Sequence, residues 1–377
     1  IAVKESVTSA LRDKNYHNLA DHPNVTVYTG VGSFVSADVV SVRTSTEEIW
    51  LTSKQIIINT GAETIIPPIE GVADNSLVYT STSIMELADL PRRLVIVGGG
   101  YIGLEFASMY ASFGSQVTVL ESYPELIARE DRDIAASVKG TLEKKGVVFR
   151  MNAKVQSVKH VENRAVVVFS DSQTGEVFEL EADAVLLATG RRPNTKDLNL
   201  EVAGVETDAR GAIIVDEYLK TTNPNIRAVG DVKGGLQFTY ISLDDYRIIR
   251  EDLFGDKERK TSDRNPVAYS VFIDPPLARI GLNEDEARKQ NLDVIIKKLP
   301  VMAIPRAKTL GETDGLLKAV IDKNTGKIVG CMLFAPDASE VINIVAMAMK
   351  TGQDYTFLRD FIFTHPSMSE ALNDLFS

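Results

Sequence analysis

The sequence predicts an α/β fold in which two mainly parallel, nested domains are followed by an α+β domain. The first reason is a strand, a glycine-rich turn, a helix and a second strand that follow one another between Leu94 and Glu121. The second is that an apolar strand closing in Thr-Gly occurs twice, at Ile56–Gly61 and at Val185–Gly190. Two successive domains of one architecture would produce this repeat, because its period is far too long for a solenoid.

Composition and charge argue against several classes of function. With 377 residues, 44% of them hydrophobic and 25% charged, the chain has the size and composition of a soluble protein with two to four domains. The net charge of −11 argues against a nucleic-acid partner, because a phosphate backbone would be repelled. No apolar run approaches the ~20 residues of a membrane span. A single cysteine, Cys331, rules out an internal disulfide framework and favours a reducing, cytoplasmic location.

The N-terminal part is expected to begin with a helix and to continue as short strands. The helix covers Ser6–Asn15, and the strands are Val25–Thr29, Val39–Arg43, Ile49–Leu51 and the β-branched run that ends at Gly61. Continuous runs of this last kind are typical of strands buried on both faces of a sheet. Pro67-Pro68 and Pro91 then interrupt the pattern.

The central part alternates strands with helices. Its expected elements are strand Leu94–Val97, helix Leu104–Phe113, strand Val117–Leu120, helix Asp131–Lys145, strand Val147–Phe149, a β-meander (Lys154–His160, Ala165–Ser170, Val177–Leu180) and the second Thr-Gly strand. The stretch Glu251–Arg264 is strongly charged and lacks an apolar face, so it is expected to be a linker. The strands and helices beyond it are separate in character from what precedes them.

The glycine-rich turn has the spacing of a Rossmann-type dinucleotide site. Gly98 permits the tight turn after the strand, Gly100 lets the backbone approach a pyrophosphate, and Gly103 lets the helix pack against the sheet. The start of this helix would bring N–H groups and the positive end of the helix dipole to the phosphates. Glu121 ends the next strand, 21 residues after Gly100, where an acidic residue hydrogen-bonds the ribose. The expected dinucleotide contacts are Gly98, Gly100, Tyr101, Ile102, Gly103 and Glu121.

Glu121 also indicates which dinucleotide binds. A carboxylate can accept both ribose hydroxyls of NADH and would repel the 2′-phosphate of NADPH. The next residues, Ser122–Pro124, supply no arginine for that phosphate, and the nearest is Arg129. NADH is therefore favoured over NADPH. The histidines His17, His22 and His160 have no partner spacing for a metal, so no metal site is expected.

The segment Gly98–Glu105 resembles the second nucleotide fingerprint of the pyridine nucleotide–disulfide oxidoreductases, the family of glutathione reductase, lipoamide dehydrogenase and mercuric reductase. The resemblance implies an enzyme that uses FAD together with NADH. It also implies that Tyr101 covers the flavin and swings aside for nicotinamide, and that Glu105 lies near the site of hydride transfer. Residue types alone leave open that Tyr101 is an aromatic that packs locally.

Further motifs follow in the order of this family. Thr60-Gly61 resembles the turn where the chain leaves the flavin domain, and Thr189-Gly190 resembles the crossing back towards it. Gly230-Asp231 resembles the second flavin contact, in which the aspartate hydrogen-bonds the ribityl chain. The expected flavin contacts are Thr60, Gly61, Gly190, Gly230, Asp231, Gln237, Phe238 and Thr239, the last of them along the flavin ring.

The segment Thr364–Glu370 resembles the terminal signature of the same family. The resemblance implies that His365 is the acid and base of the reaction and that Glu370 orients it, because a carboxylate partner fixes the tautomer of a histidine. By residue type alone a surface His-Pro turn is the better interpretation, and only its register after the other motifs favours catalysis. In this family the histidine reaches the active site of the partner subunit, so the resemblance implies a homodimer.

The resemblance divides the chain into four segments. Residues 1–84 and 196–262 are expected to belong to the FAD-binding domain, 85–195 to the NAD(P)H-binding domain and 263–377 to a dimerisation domain. Because the resemblance starts partway into the family pattern, the first flavin fingerprint and the redox cysteine pair are expected upstream of Ile1, which leaves the first nucleotide-binding domain incomplete here. The chain as given is then expected to be inactive in thiol chemistry.

The final electron acceptor is the least constrained part of the expected function. Gly234–Tyr246 and Thr364–Phe376 resemble a subgroup of bacterial flavoproteins linked with reactive-chlorine resistance and Cu(II) reduction. The resemblance implies that electrons reach a disulfide or a metal ion such as Cu(II). Two alternatives stay open: an NADH oxidase or peroxidase of related fold, and a non-catalytic nucleotide-binding module.

Overall fold

The chain passes twice through each of two units. The computed structural model describes all residues from 1 to 377. Residues 1–65 and 190–264 form the first unit, and residues 66–189 and 265–377 form the second. Helices and parallel strands alternate through the central part of the chain, so the α/β fold class is confirmed. The finer division into four segments stays a prediction.

The secondary structure comprises nine helices and 20 strands. In chain order the helices are α1 (Ala2–Ala20), α2 (Tyr101–Phe113), α3 (Arg132–Lys144), α4 (Thr239–Phe254), α5 (Glu284–Lys289), α6 (Pro305–Leu310), α7 (Ala338–Lys350), α8 (Tyr355–Arg359) and α9 (Ala371–Leu375). The strands are β1 (Val31–Phe34), β2 (Val39–Arg43), β3 (Glu48–Thr52), β4 (Ile56–Ile58), β5 (Ala62–Thr64), β6 (Val78–Thr80), β7 (Arg93–Val97), β8 (Gln116–Leu120), β9 (Val148–Arg150), β10 (Ala153–Val161), β11 (Arg164–Asp171), β12 (Val177–Ala182), β13 (Ala184–Leu187), β14 (Arg191–Pro193), β15 (Ile226–Ala228), β16 (Tyr269–Val271), β17 (Leu277–Gly281), β18 (Val294–Pro300), β19 (Leu316–Asp322) and β20 (Ile328–Phe334).

The first unit contains three small sheets. Strands β1, β2 and β3 form an antiparallel meander, β4 pairs in parallel with β15, and β5 pairs antiparallel with β14. The strand expected at Val25–Thr29 is absent, because this extended segment finds no partner strand and its apolar side chains stay 37–44% exposed. The middle residue of β4, Ile57, is 49% exposed. The expectation that this run is buried on both faces is therefore wrong.

The stretch Glu251–Arg264 is not the free linker that its charge suggested. Its first residues belong to α4, which continues to Phe254. The side chain of Asp252 is 1% exposed and pairs with Arg227 and, at 3.1 Å, with Lys220. At the far end Arg264 pairs with Asp245 of α4 at 2.8 Å. Two charged residues of the stretch, Asp252 and Arg264, therefore form buried ion pairs with the rest of the unit, a role that the lack of an apolar face could not reveal.

The second unit is built on a five-stranded parallel sheet. Its strand order is β6-β13-β7-β8-β9. Residues 94–97 of β7 and all of β13 are buried, as expected for central strands of a parallel sheet. Because all five strands run the same way, their carboxyl ends share one edge, which is where ligands bind in sheets of this kind. The turn at Gly98 and the loop at Ala188 meet at that edge.

Residues 265–377 add an antiparallel sheet of order β16-β17-β20-β19-β18. Helix α7 covers it with a buried apolar face that includes Val341, Ile342 and Val345. Cys331 lies in β20 and is fully buried, which raises the pKa of its thiol and confirms that it is a small apolar core residue. None of the helices combines the length and the apolar character that crossing a membrane requires.

Candidate functional site

The glycine-rich turn forms a tight connection between β7 and α2. Gly98 has φ +111°, and a Cβ atom on it would lie 2.4 Å from the carbonyl oxygen of Ala188. A Cβ atom on Gly103 would lie 2.0 Å from the carbonyl oxygen of Gly98. At Gly100 a Cβ atom would meet nothing within 4 Å, so this face of the turn is open to a ligand. The turn is thus closed towards the protein and open on one side, as a phosphate-binding turn must be.

Helix α2 begins at Tyr101, three residues earlier than expected. Ile102 and Gly103 therefore belong to the first helical turn and not to the loop. No side chain caps this N-terminus, which follows Gly100. The first N–H groups of an uncapped helix need partners, and the oxygens of a diphosphate can supply them.

Glu121 follows the end of β8 and is only 9% exposed. Its Oε2 atom accepts a hydrogen bond from the N–H of Gly99 at 2.6 Å, and its Oε1 atom accepts one from the N–H of Tyr123 at 2.9 Å. These bonds fix the carboxylate against the glycine turn. Oε1 also accepts from the hydroxyl of Ser122 at 3.2 Å, whereas Oε2 keeps a second lone pair, so Glu121 retains the capacity to accept a ribose hydroxyl.

A cavity of about 560 Å³ lies along this turn. Its walls include the backbone of residues 98–100, the side chains of Tyr101 and Glu121, and the loop from Ile127 to Arg129. The volume lies in the range typical of small-molecule and cofactor sites. Lys154 also lines the cavity and was missed from sequence, because nothing in its β-meander strand indicates that it faces the turn. Lys154 and Arg129 together place two cations in the cavity wall, where the carboxylate of Glu121 favours a ribose without a 2′-phosphate.

The side chain of Tyr101 makes a specific polar contact at this site. Its hydroxyl donates to Oε1 of Glu130 at 2.6 Å and lies 3.2 Å from the hydroxyl of Tyr269. Burial and the Glu130 carboxylate raise the pKa of Tyr101, so its hydroxyl stays protonated. Glu105, one helical turn further along α2, accepts a hydrogen bond from the N–H of Phe272 at 3.0 Å, and burial raises the pKa of this carboxyl group.

A second cavity, of about 290 Å³, lies in the first unit. The residues that line it are Asn59, Gly61, Asp231, Gln237, Phe238, Thr239 and Ser242. Five of these were expected flavin contacts, and the fold brings them together from distant parts of the chain. Thr60, Gly190 and Gly230 are not in the wall. The Thr60 hydroxyl donates to the carbonyl of Asn194 at 2.8 Å, and the Gly190 carbonyl accepts from Ile65 at 2.9 Å, so both fix the chain crossings next to β5 and β14.

The loop that carries Asp231 is held by a buried residue that sequence analysis missed. The N–H of Gly230 donates to Oδ2 of Asp245 at 2.8 Å. Asp245 is fully buried in α4 and pairs with Arg264 at 2.8 Å and with Lys233 at 3.3 Å. A carboxylate held by two cations and a backbone N–H fixes the position of the loop. The acidic pair at 244–245 resembles a solvated helix face in sequence, so no signal pointed to this role.

His365 and Glu370 are paired as expected. The Nδ1 atom of His365 lies 2.7 Å from Oε2 of Glu370, whose Oε1 accepts from the N–H of Ser367 at 3.3 Å. The glutamate side chain is 18% exposed and that of the histidine 70%. A carboxylate on Nδ1 sets the tautomer and leaves Nε2, on the far side of the ring, for proton exchange with a reacting group.

Comparison with known proteins identifies the class of protein that this fold and these sites define. The family model described as pyridine nucleotide-disulphide oxidoreductase matches residues 3–245, and the model of the family's dimerisation domain matches residues 267–376. The chain therefore belongs to the pyridine nucleotide-disulphide oxidoreductase family, whose members use FAD and a nicotinamide dinucleotide. The family resemblance inferred from sequence is confirmed.

Individual relatives narrow this assignment. Probable pyridine nucleotide-disulfide oxidoreductase RclA of Escherichia coli (strain K12) is 49% identical over 374 residues, which is 99% of this chain and 83% of that protein. Mercuric reductase of Lysinibacillus sphaericus is 33% identical and dihydrolipoyl dehydrogenase of Geobacillus stearothermophilus is 34% identical, with 99% and 92% of this chain and 67% and 72% of those proteins covered. The solved Cu(II) complex of the HOCl-induced flavoprotein disulfide reductase RclA from Escherichia coli superposes with a TM-score of 0.94 at 48% identity, over 100% of this chain and 84% of that one.

Proposed function

We propose that this protein is an NADH-dependent flavoprotein that passes electrons to a disulfide or to a metal ion such as Cu(II). The observation that carries the proposal is the cavity at the Gly98–Gly103 turn, where an uncapped helix start and a buried carboxylate at Glu121 lie side by side. These are the groups that bind a diphosphate and a ribose. The family assignment supports the same cofactor pair.

The residues of the first unit fit a flavin. Asp231 can accept hydrogen bonds from ribityl hydroxyls, and α4 begins at Thr239 without a side-chain cap, so its first turn suits a polar group of the flavin ring system. Gly61 and Gln237 line the same cavity. When bound, FAD would accept hydride from nicotinamide and pass the electrons through a redox cysteine pair to the acceptor, chemistry that the buried Cys331 cannot supply.

The chain's own residues orient the reactants and handle protons. Tyr101 forms part of the nicotinamide side of the cavity and would have to move for the ring to enter, while Glu105 lies on the same helix. His365 would exchange a proton with a thiol of the redox cysteine pair through Nε2 while Glu370 holds the opposite ring nitrogen. Cys331 is excluded as a redox thiol because it is fully buried. The dimerisation domain at 267–376 supports a homodimer.

The acceptor is proposed from the relatives and not from a binding site in this chain. One relative is a mercuric reductase, and the E. coli RclA structure is a Cu(II) complex of a disulfide reductase. Taken together, they point to thiol-reactive metal ions and disulfides as the acceptor class, since both can react with the thiolates of a redox cysteine pair. A disulfide and Cu(II) are therefore the two acceptors to test first.

The flavin assignment is tested by absorbance. We expect the purified protein to show a flavin band that NADH bleaches without oxygen, and the Asp231→Asn variant to bind FAD about tenfold more weakly, since a charge-assisted hydrogen bond is lost. The matched control is Asp197→Asn, an exposed carboxylate of the same unit outside the cavity. Failure of protein that carries the whole FAD-binding domain to take up FAD would refute the proposed function, and equal FAD affinity in both variants would refute the role of Asp231.

The preference for NADH is expected to depend on the charge of Glu121. The Glu121→Gln variant should lower the ratio of the NADPH to the NADH dissociation constant by about tenfold, because the repulsion of a 2′-phosphate disappears. Fluorescence titration with both dinucleotides measures this ratio. Glu125→Gln is the control, since it removes a carboxylate that lines the same cavity and pairs with Arg132 at its exposed edge. An unchanged ratio in Glu121→Gln would show that Glu121 does not control the selectivity, and would assign that control to Arg129 and Lys154.

A further inference from the structure

A buried carboxylate, Glu130, lies where two tyrosine hydroxyls meet. The Tyr101 hydroxyl donates to Oε1 of Glu130 at 2.6 Å, and the Tyr269 hydroxyl donates to the same oxygen at 2.5 Å. The side chain of Glu130 is 0% exposed. Tyr101 starts α2 and Tyr269 starts β16, so the carboxylate joins a residue of the nucleotide cavity to the C-terminal sheet.

The second oxygen of Glu130 has an ion pair but no hydrogen bond to compensate for this burial. Oε2 has no hydrogen-bond donor, and the closest cation is Nη1 of Arg279 at 3.6 Å. Arg279 directs its hydrogen bonds elsewhere, to the carbonyl of Arg129 at 2.7 Å and to Glu286. A buried carboxylate without donors is strongly disfavoured, so Glu130 depends on the two hydroxyls for its hydrogen bonds.

We propose that Glu130 and Tyr269 are positioning residues that set how readily Tyr101 moves. Glu130 holds the Tyr101 hydroxyl in the orientation seen here. Tyr269 keeps the carboxylate of Glu130 hydrogen-bonded when the Tyr101 hydroxyl leaves. Movement of Tyr101 therefore does not leave the buried charge without a hydrogen bond. The inference rests on the proposed function, in which nicotinamide enters only after Tyr101 has moved.

This arrangement makes the two positioning residues act in opposite directions. In Glu130→Gln the acceptor becomes a neutral amide, which binds a phenol hydroxyl more weakly than a carboxylate does. Tyr101 is then freer to move, and nicotinamide binds more tightly. In Tyr269→Phe the carboxylate keeps Tyr101 as its one hydroxyl donor, so Tyr101 is retained and nicotinamide binds more weakly. A general loss of packing would weaken binding in both variants.

The test uses the FAD-loaded protein and two ligands that differ only in the nicotinamide group. Calorimetric titration gives the dissociation constants of NAD⁺ and of ADP-ribose, which lacks nicotinamide and does not require Tyr101 to move. We expect the NAD⁺ constant to rise about tenfold in Tyr269→Phe and to fall severalfold in Glu130→Gln, with the ADP-ribose constant unchanged in both. In a Tyr101→Phe background the additional Tyr269→Phe change should have no effect on NAD⁺.

Tyr110→Phe is the matched control. It removes a buried phenol hydroxyl from the same helix, where it donates to the carbonyl of Ile84 at 3.2 Å, and it should alter neither constant. The inference is overturned if both ligands shift alike, if the two variants move NAD⁺ binding in one direction, or if the Tyr269→Phe effect persists in the Tyr101→Phe background. If Glu130→Gln does not fold, the test rests on Tyr269→Phe measured alone and in the Tyr101→Phe background. If the wild-type protein bound neither NAD⁺ nor ADP-ribose, the proposed dinucleotide site itself would be refuted. That outcome is distinguishable from failure of this inference, in which the wild-type protein binds both ligands.

Discussion

Replacement of His365 by alanine is expected to slow the reduction of glutathione disulfide or a comparable disulfide by about 10²- to 10³-fold. The physical reason is the pairing of its Nδ1 atom with Glu370 at 2.7 Å, which leaves Nε2 as the proton-exchanging atom. Reduction of bound FAD by NADH should be unchanged, because that step needs no proton from His365. Stopped-flow measurement of the two half-reactions, in FAD-loaded protein that carries the redox cysteine pair, separates them.

The matched control for this prediction is His160→Ala. His160 lies exposed in β10, so its removal deletes a histidine without touching either cavity. Glu370→Gln should give an intermediate loss, because an amide still accepts a hydrogen bond from Nδ1 but stabilises a charged ring less. If His365→Ala reduces disulfides at the wild-type rate, the acid–base role is wrong and the histidine is a surface residue.

Replacement of Gly103 by alanine is expected to weaken NADH binding strongly and to destabilise the second unit. The new Cβ atom would lie 2.0 Å from the carbonyl oxygen and 3.1 Å from the carbonyl carbon of Gly98. Both are backbone atoms of the turn, so the clash is relieved only by moving α2 away from β7. We expect a loss of about 2–3 kcal/mol in stability and a roughly hundredfold weaker NADH affinity. Thermal unfolding and dinucleotide titration measure the two effects.

Gly140→Ala is the matched control, because it makes the same substitution in another helix of the same unit. Gly140 lies inside α3, and its Cβ atom would meet nothing within 4 Å. Alanine is favoured over glycine in a helix interior by about 1 kcal/mol, so this variant should unfold at a slightly higher temperature and bind NADH normally. Wild-type NADH affinity in Gly103→Ala would show that the dinucleotide binds elsewhere.

The sequence predicted those parts of the site whose structure is determined by residues close together in the chain. The strand, turn and helix around Gly98 follow from apolar periodicity and from glycine spacing, and both act over a few residues. The pairing of His365 with Glu370, by contrast, was implied only by the family resemblance, because residue types alone favour a surface His-Pro turn. The α2 start was misplaced by three residues because a helix beginning with Tyr-Ile-Gly has no capping residue to mark it.

The failures share a different cause. The run at Val25–Thr29 has strand composition, but a strand forms only where another strand pairs with it. The stretch Glu251–Arg264 is charged, and charge predicts exposure unless a partner of opposite sign is buried beside it. Its partners Arg227 and Asp245 lie elsewhere along the chain. Neither outcome is encoded in the segment itself.

By itself the sequence determined the α/β class, the Gly98–Gly103 turn with its acidic residue at Glu121, and a series of motifs in the order of the family it resembles. Only the tertiary structure decided which residues surround them: Lys154 in the cavity wall, Asp245 beneath the Gly230 loop, and the carboxylate of Glu130 between two tyrosines. Glu130 and Tyr269 are 139 positions apart. Periodicity and turn chemistry act over a few residues, whereas the pairing of buried polar groups is settled only when the sheets and helices pack and every buried hydrogen bond must find its partner.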